Sequence, residues 1–214
     1  MNRIFVTGTD TDIGKTWICG LLLSTLPSWR YWKPCQTGPL DMHDGPAISR
    51  EWGIKPSRIV QMGYRLKEPA SPHYAAALEE KECTLEALLE WSSTLDPASP
   101  YLIEGAGGSL VPLNSEQLLV ELPIRMGWPI LIIASTKLGG INHTLMTVES
   151  LMSRSANILG IVSIGEDDPS YRSAIRSHSL VRHLAHIPKC DSPFLPEALE
   201  HGQRLSTALL ERLR

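Results

Sequence analysis

Residues 3–7 read RIFVT, an apolar and β-branched run, and pass directly into GTDTDIGKT and then into an apolar stretch, residues 17–26, that Pro27 closes. A strand, a glycine-bearing turn and a helix in immediate succession aim the helix's unpaired N–H groups and positive dipole end at whatever lies beyond the strand's carboxyl end. That place suits an anion. Lys15 can add a charge near β- and γ-phosphates, and the Thr16 hydroxyl can sit on a Mg²⁺. The turn breaks the generic G-x-x-x-x-G-K-[ST] spacing, because the stretch Thr9 to Ile13 between Gly8 and Gly14 is a residue too long.

The rest of the chain continues the pattern of that start. Strand-like runs at 3–7, 30–33, 101–104, 129–135 and 158–164 alternate with helix-like stretches at 15–26, 46–52, 84–95, 116–126, 142–155, 171–184 and 203–213. The alternation predicts an α/β fold, P-loop NTPase-like, with a mostly parallel central sheet and helices on both faces. No linker or repeat divides the 214 residues, so the reading is one domain, 1–214. PILIIAS reads as a central strand buried on both faces. Pro123 predicts a kinked or split helix at 116–126.

A net charge of −3 supplies no electrostatic footprint for nucleic acid or an anionic membrane. The four cysteines, Cys19, Cys35, Cys83 and Cys190, lie far apart without a C-x-x-C, which fits free thiols in a reducing cytosol. With neither a basic-then-apolar leader nor a long apolar span in the sequence, the expectation is a cytoplasmic protein. His178, His183, His186 and His201 lack metal-ligand spacing and read as surface or structural residues.

In open α/β sheets ligands gather beyond the carboxyl ends of the strands. There the sequence offers Lys33 and Thr37 in YWKPCQTGP, Glu104 in YLIEGAGG, and Lys137 with Gly139 and Gly140 in STKLGGINH. Each has an ordinary explanation taken singly: a solvated strand end, a capping carboxylate, a tight turn. Taken together, Lys15, Lys33 and Lys137 on one rim, with a carboxylate placed to reach a magnesium and the Thr16 hydroxyl, have the composition of a site for phosphoryl transfer.

The ordered series GTDTDIGKT, KPCQTG, PASPH, IEGAGG and KLGGINH, from Gly8 to His143, resembles the dethiobiotin synthetase family, and the longer phosphate loop is that family's own pattern. The resemblance implies an enzyme that builds a cyclic urea from 7,8-diaminopelargonic acid, CO₂ (or bicarbonate) and ATP, with Mg²⁺. The implied catalytic residues are Lys15, Lys33, Lys137 and Thr11. The implied nucleotide contacts are Asp12, Ile13, Gly14, Lys15, Thr16, Trp17, Glu104, Gly107 and Pro188. Thr16, Asp44 and Glu104 are the implied metal ligands, although Asp41 lies near Asp44 and HDG stands where the family usually has SDA. Thr37 and the helix start Gly139, Gly140, Ile141 and Asn142 are implied to hold the substrate, the latter taking its carboxylate across a homodimer interface. The physics of a helix start agrees, with Asn142 as cap or direct donor.

Beyond residue 158 the sequence departs from the family, whose adenine-reading Asn is replaced by Ile164, so Ser163 or nearby backbone would have to serve. Pro188 in HIPKC lies where the family's turn flanks the base. Three rival readings stay open. A partitioning or nitrogenase-iron-protein ATPase usually carries an early loop lysine, where Thr9, Asp10 and Thr11 stand here. A GTP switch protein needs N-K-x-D, and STKLG lacks both the Asn and the Asp. A ligase acting on another amine differs only in pocket shape.

Overall fold

The computed structural model describes residues 3–189 and 196–213. In chain order the strands are β1 (Arg3–Gly8), β2 (Arg30–Trp32), β3 (Cys35–Thr37), β4 (Ile59–Val60), β5 (Tyr64–Leu66), β6 (Tyr101–Gly108), β7 (Ile130–Ser135), β8 (Ile158–Gly165) and β9 (His183–Pro188). The α-helices are α1 (Lys15–Thr25), α2 (Asp44–Trp52), α3 (Pro72–Ala77), α4 (Leu85–Thr94), α5 (Glu121–Arg125), α6 (Gly140–Met152), α7 (Pro169–His178) and α8 (Pro196–Arg212). Seven strands form one sheet in the order β4-β2-β6-β1-β7-β8-β9, and its neighbours pair in parallel. β3 and β5 make a separate parallel pair.

Alternation along the central strands builds a core on each face. Ile4, Val6, Leu131 and Ile133 pack with α1, α2 and α8, whereas Phe5, Ile130 and Ile132 pack with α4, α6 and α7. Each of these buried apolar side chains contributes about 1.5–3 kcal/mol. Gly202 lets α8 lie close on α1, since a Cβ there would stand 2.8 Å from Leu21 Cδ1. The result is a rigid sheet with every strand's carboxyl end on one rim.

Four expected helices change, the one at 203–213 by starting earlier, at Pro196, as α8. The stretch 116–126 shortens to α5, because Asn114 Oδ1 accepts the N–H groups of Glu116 and Gln117 at 2.9 Å each and so holds that segment in a turn. Pro123 then falls within the first turn of α5, where its missing N–H costs nothing. The stretch 171–184 divides into α7, capped by Asp168 and opened by Pro169, and the edge strand β9, which pairs with β8. Finally, α6 starts at Gly140 with Gly139 as its cap residue, so Asn142 sits inside the first turn and is not the cap. Cys19, Cys35 and Cys83 are buried free thiols, and Cys190 lies outside the described residues.

Candidate active site

The strand order decides where the expected residues go. β1 carries the phosphate loop, and β6 and β2 lie on one side of it, β7, β8 and β9 on the other. Within the loop Asp12 adopts φ 55° and Gly14 φ 97°. The left-handed conformation at Gly14 requires glycine, and a Cβ there would also push on the tip of the Ile164 side chain, 2.7 Å away. Lys15 folds back over the loop and donates to the Asp10 carbonyl at 2.9 Å. Burial, only partly offset by Glu104, lowers the pKa of its ammonium.

On the β6 and β2 side, four side chains meet. Thr16 Oγ1 lies 2.9 Å from Asp44 Oδ1 and 2.8 Å from Glu104 Oε1. Lys33 Nζ donates to Glu104 Oε1 at 3.0 Å and pairs with the Asp44 carboxylate. Glu104 is fully buried and Lys33 nearly so. Burial works against the Lys33 ammonium, but Glu104 and Asp44 outweigh it and hold its pKa well above the ordinary range. Burial likewise pushes the Asp44 carboxyl up, and Lys33 with its hydrogen bonds brings it net below the usual value. Asp41 is exposed in a single 3₁₀ turn (Leu40–Met42) and stays outside this cluster.

A hydroxyl and two carboxylates converging beside a phosphate loop form a hard-oxygen donor set that fits Mg²⁺, which takes one or two carboxylates and completes its shell with phosphate and water. No group of three or more His, Cys, Asp or Glu side chains placed to hold a metal occurs among the described residues.

Two clefts flank the phosphate loop. The larger, about 750 Å³, includes Lys33, Thr37, Asp44, Glu104 and Gly107 in its lining. The smaller, about 470 Å³, includes Ile13, Lys137, Gly140, Ile164 and Pro188. Thr11, Asp12, Gly14 and Trp17 line both. Lys15, Lys33 and Lys137 follow strands whose carboxyl ends share one rim, but Lys33 and Lys137 line different clefts, one on each side of the loop. Gly139, Ile141 and Asn142 line neither cleft. Gly140 N–H already donates to the Lys137 carbonyl at 2.7 Å, leaving Ile141 and Asn142 to supply the N–H groups characteristic of a helix start. Asn142 Nδ2 points to Met146 Sδ at 3.3 Å.

Ser163 faces away from the smaller cleft. Its buried hydroxyl bonds His183 Nε2 at 2.8 Å and His186 Nδ1 at 3.0 Å, so its side chain is committed to the opposite face of the sheet from Ile164. Burial first, then His186, Arg172 and Arg176, bring the pKa of His183 down to about 4.

The sequence reading assigned no role to Tyr31 or Gln36. Tyr31 donates to Glu104 Oε2 at 2.9 Å, and Gln36 accepts the Asp44 N–H at 3.0 Å while donating to the Thr37 carbonyl at 3.0 Å. A signal for Tyr31 existed: it stands two residues before Lys33, on the same face of an extended segment.

A family model described as "AAA domain" matches residues 2–192. The ATP-dependent dethiobiotin synthetase BioD of Afipia carboxidovorans is 40% identical over 199 residues, 92% of this chain and 91% of that protein. Its counterpart in Paramagnetospirillum magneticum is 41% identical over 194 residues, 87% of this chain and 88% of that protein. The chain belongs to the dethiobiotin synthetase family. As a family member it is an ATP-dependent cyclo-ligase, forming carbon–nitrogen bonds.

Solved structures corroborate the fold of this dethiobiotin synthetase family member. The cell division ATPase MinD of Pyrococcus furiosus aligns with TM-score 0.62 at 15% identity, covering 100% of both chains. A putative plasmid partition protein of Borrelia burgdorferi bound to AMPPNP aligns with TM-score 0.64 at 9% identity, covering 99% of this chain and 98% of that one.

Proposed function

We propose that this protein converts 7,8-diaminopelargonic acid, CO₂ and ATP into dethiobiotin, ADP and phosphate, with Mg²⁺. The observation that carries the reading is the buried cluster of Thr16, Lys33, Asp44 and Glu104 beside the phosphate loop. One substrate amine attacks CO₂ to give a carbamate, a carbamate oxygen takes the γ-phosphoryl group of ATP, and the second amine closes the ring by expelling phosphate. Carbamate and γ-phosphate are both anionic, so the step needs positive charge fixed in place beforehand. Lys33, kept cationic by Asp44 and Glu104, supplies one such charge, and Lys15 supplies a second from within the phosphate loop. Thr11 and Thr37 orient the reacting amine and carbamate by hydrogen bonding. Thr16, Asp44 and Glu104 would hold the Mg²⁺, which when bound offsets charge on the β- and γ-phosphates.

In this reading the larger cleft takes the diamine and the smaller one the nucleoside, with Asp12 to Trp17 on the phosphates and Pro188 beside the base. Lys137 lies on the nucleotide's side of the loop. The substrate carboxylate is bound by the start of α6 from a second copy of the chain. Exposed Leu138 and Met146, next to that helix start, support a homodimer contact there. The chain acts as one domain in the cytoplasm, and no helix of the described residues is long and apolar enough to cross a membrane.

Phosphate release measured with ATP, Mg²⁺ and bicarbonate, with and without 7,8-diaminopelargonic acid, tests the proposal. Release should depend on the diamine and match the dethiobiotin formed. Slow hydrolysis indifferent to the diamine would favour a nucleotide switch, and release triggered by another amine would favour a related ligase.

A further inference from the structure

Glu104 is the most enclosed charged group of the cluster, at 0% exposure, and its two oxygens have different partners. Oε1 faces Thr16 Oγ1 at 2.8 Å and Lys33 Nζ at 3.0 Å. Oε2 faces inward and accepts the Tyr31 hydroxyl at 2.9 Å. Tyr31 is itself 1% exposed, with its ring in the core formed by α1, α2 and the sheet. The phenol is the donor in this contact, because an ionised carboxylate can only accept.

We infer that Tyr31 is a positioning residue: by engaging Glu104 Oε2 it fixes the carboxylate with Oε1 alone turned toward Thr16 and Asp44, and so sets the oxygen presented to the magnesium. The inference rests on the metal reading given above. A free carboxylate rotates about its last bond, and ordering it costs side-chain entropy each time a ligand binds. The tyrosine settles that orientation in advance, as partners of metal ligands commonly do. Lys33 cannot do this, because it touches the same oxygen as Thr16. Cys19 also lies against Glu104, but a thiol is a weak donor.

Tyr31→Phe keeps the ring and removes only the donor. The readout is ADP affinity by calorimetry with and without Mg²⁺, whose ratio reports how strongly the metal couples nucleotide to protein, independently of turnover. Removing a partner of a metal ligand typically weakens metal affinity by about 10–100-fold, so the ratio should fall by about tenfold in Tyr31→Phe while ADP affinity without Mg²⁺ stays near wild type. A purely structural role would lower the melting temperature and leave the ratio intact, which overturns the inference. Glu104→Gln separates this from failure of the metal reading. If Glu104→Gln leaves the ratio unchanged, the magnesium site is misassigned. If it abolishes the ratio while Tyr31→Phe does not change it, the carboxylate reading stands and the role of Tyr31 is refuted.

Discussion

Replacing Lys33 by methionine keeps most of its length and removes its charge. In the wild type the ammonium serves two carboxylates at once, at side-chain exposures of 10% for Lys33, 0% for Glu104 and 21% for Asp44. Removing one partner of a buried ion pair costs about 3–5 kcal/mol, because the remaining charge is left without compensation. Glu104 keeps donors in Thr16 and Tyr31, and Asp44 retains some water, so the lower end, about 3 kcal/mol, is expected here. For a chain of this size each kcal/mol moves the melting temperature by about 2–4 °C, giving a fall of about 6–12 °C. Mg²⁺ with ADP should restore part of that loss, since the same carboxylates then face a cation again. Turnover should drop by about 10²–10³-fold even where the protein is folded, the usual cost of losing a preorganised charge at a transferring group. Thermal melts with and without Mg²⁺–ADP, with phosphate release at a temperature where the variant is folded, measure all three. Arg50→Met, at an exposed pair with Glu51, is the control and should melt as the wild type does. A Lys33→Met melting temperature within about 2 °C of wild type would refute the argument, because less than about 1 kcal/mol would then rest on the buried pairing.

Lys15→Ala should lose about 10²–10³ in turnover without a large change in melting, and turnover within a few-fold of wild type would remove it from the reaction. In the smaller cleft, proposed above for the nucleoside, Ile164 stands at the end of β8 and Ser163 is turned away; kcat/KM for ATP should therefore exceed that for GTP or CTP by only about tenfold, about 1.4 kcal/mol, and a thousandfold preference would show that backbone reads adenine. His183 titrates near 4 in the fold but near 6.5 when unfolded, so between those pH values the unfolded chain binds more protons and acid costs stability. His183→Gln should flatten the fall in melting temperature across that window, and an unchanged slope would assign the acid sensitivity elsewhere.

The parts of this fold legible in the sequence were those with a strong local signal. β1, β7, β8 and α1 follow from apolar runs and from Gly14 and Pro27, whose backbone constraints act on their own neighbours. The edge strands β4 and β9 and the β3–β5 pair were not legible, because short segments become strands only by pairing with a partner that tertiary structure supplies. The site shows the same division. Thr16, Lys33 and Glu104 announced themselves by residue type at a strand or helix end, and the structure places Asp44 with them and Asp41 apart. Gln36 gave no such sign and Tyr31 only its place two residues before Lys33, since the contact that gives Tyr31 its role reaches Glu104, 73 positions away. The separation of Lys137 from Lys33 depended on strand order, which no single motif encodes.

Because the phosphate loop is the wall common to both clefts, the acceptor and nucleoside ends proposed above draw on different parts of the chain. β2, β6 and α2 supply the larger cleft with Lys33, Glu104 and Asp44, whereas the ends of β7, β8 and β9 supply the smaller with Lys137, Ile164 and Pro188. On the proposed reading, changes at Ile164 or Pro188 would alter the choice of base while the acceptor cleft stays as it is, whereas Glu104 and Asp44 serve both substrates, because the magnesium they would hold sits on the nucleotide's phosphates. Among the described residues, Thr11, Asp12, Gly14 and Trp17 line both clefts. A scaffold divided in this way would let its base-binding end vary without disturbing the acceptor cleft, provided the loop between them is left alone.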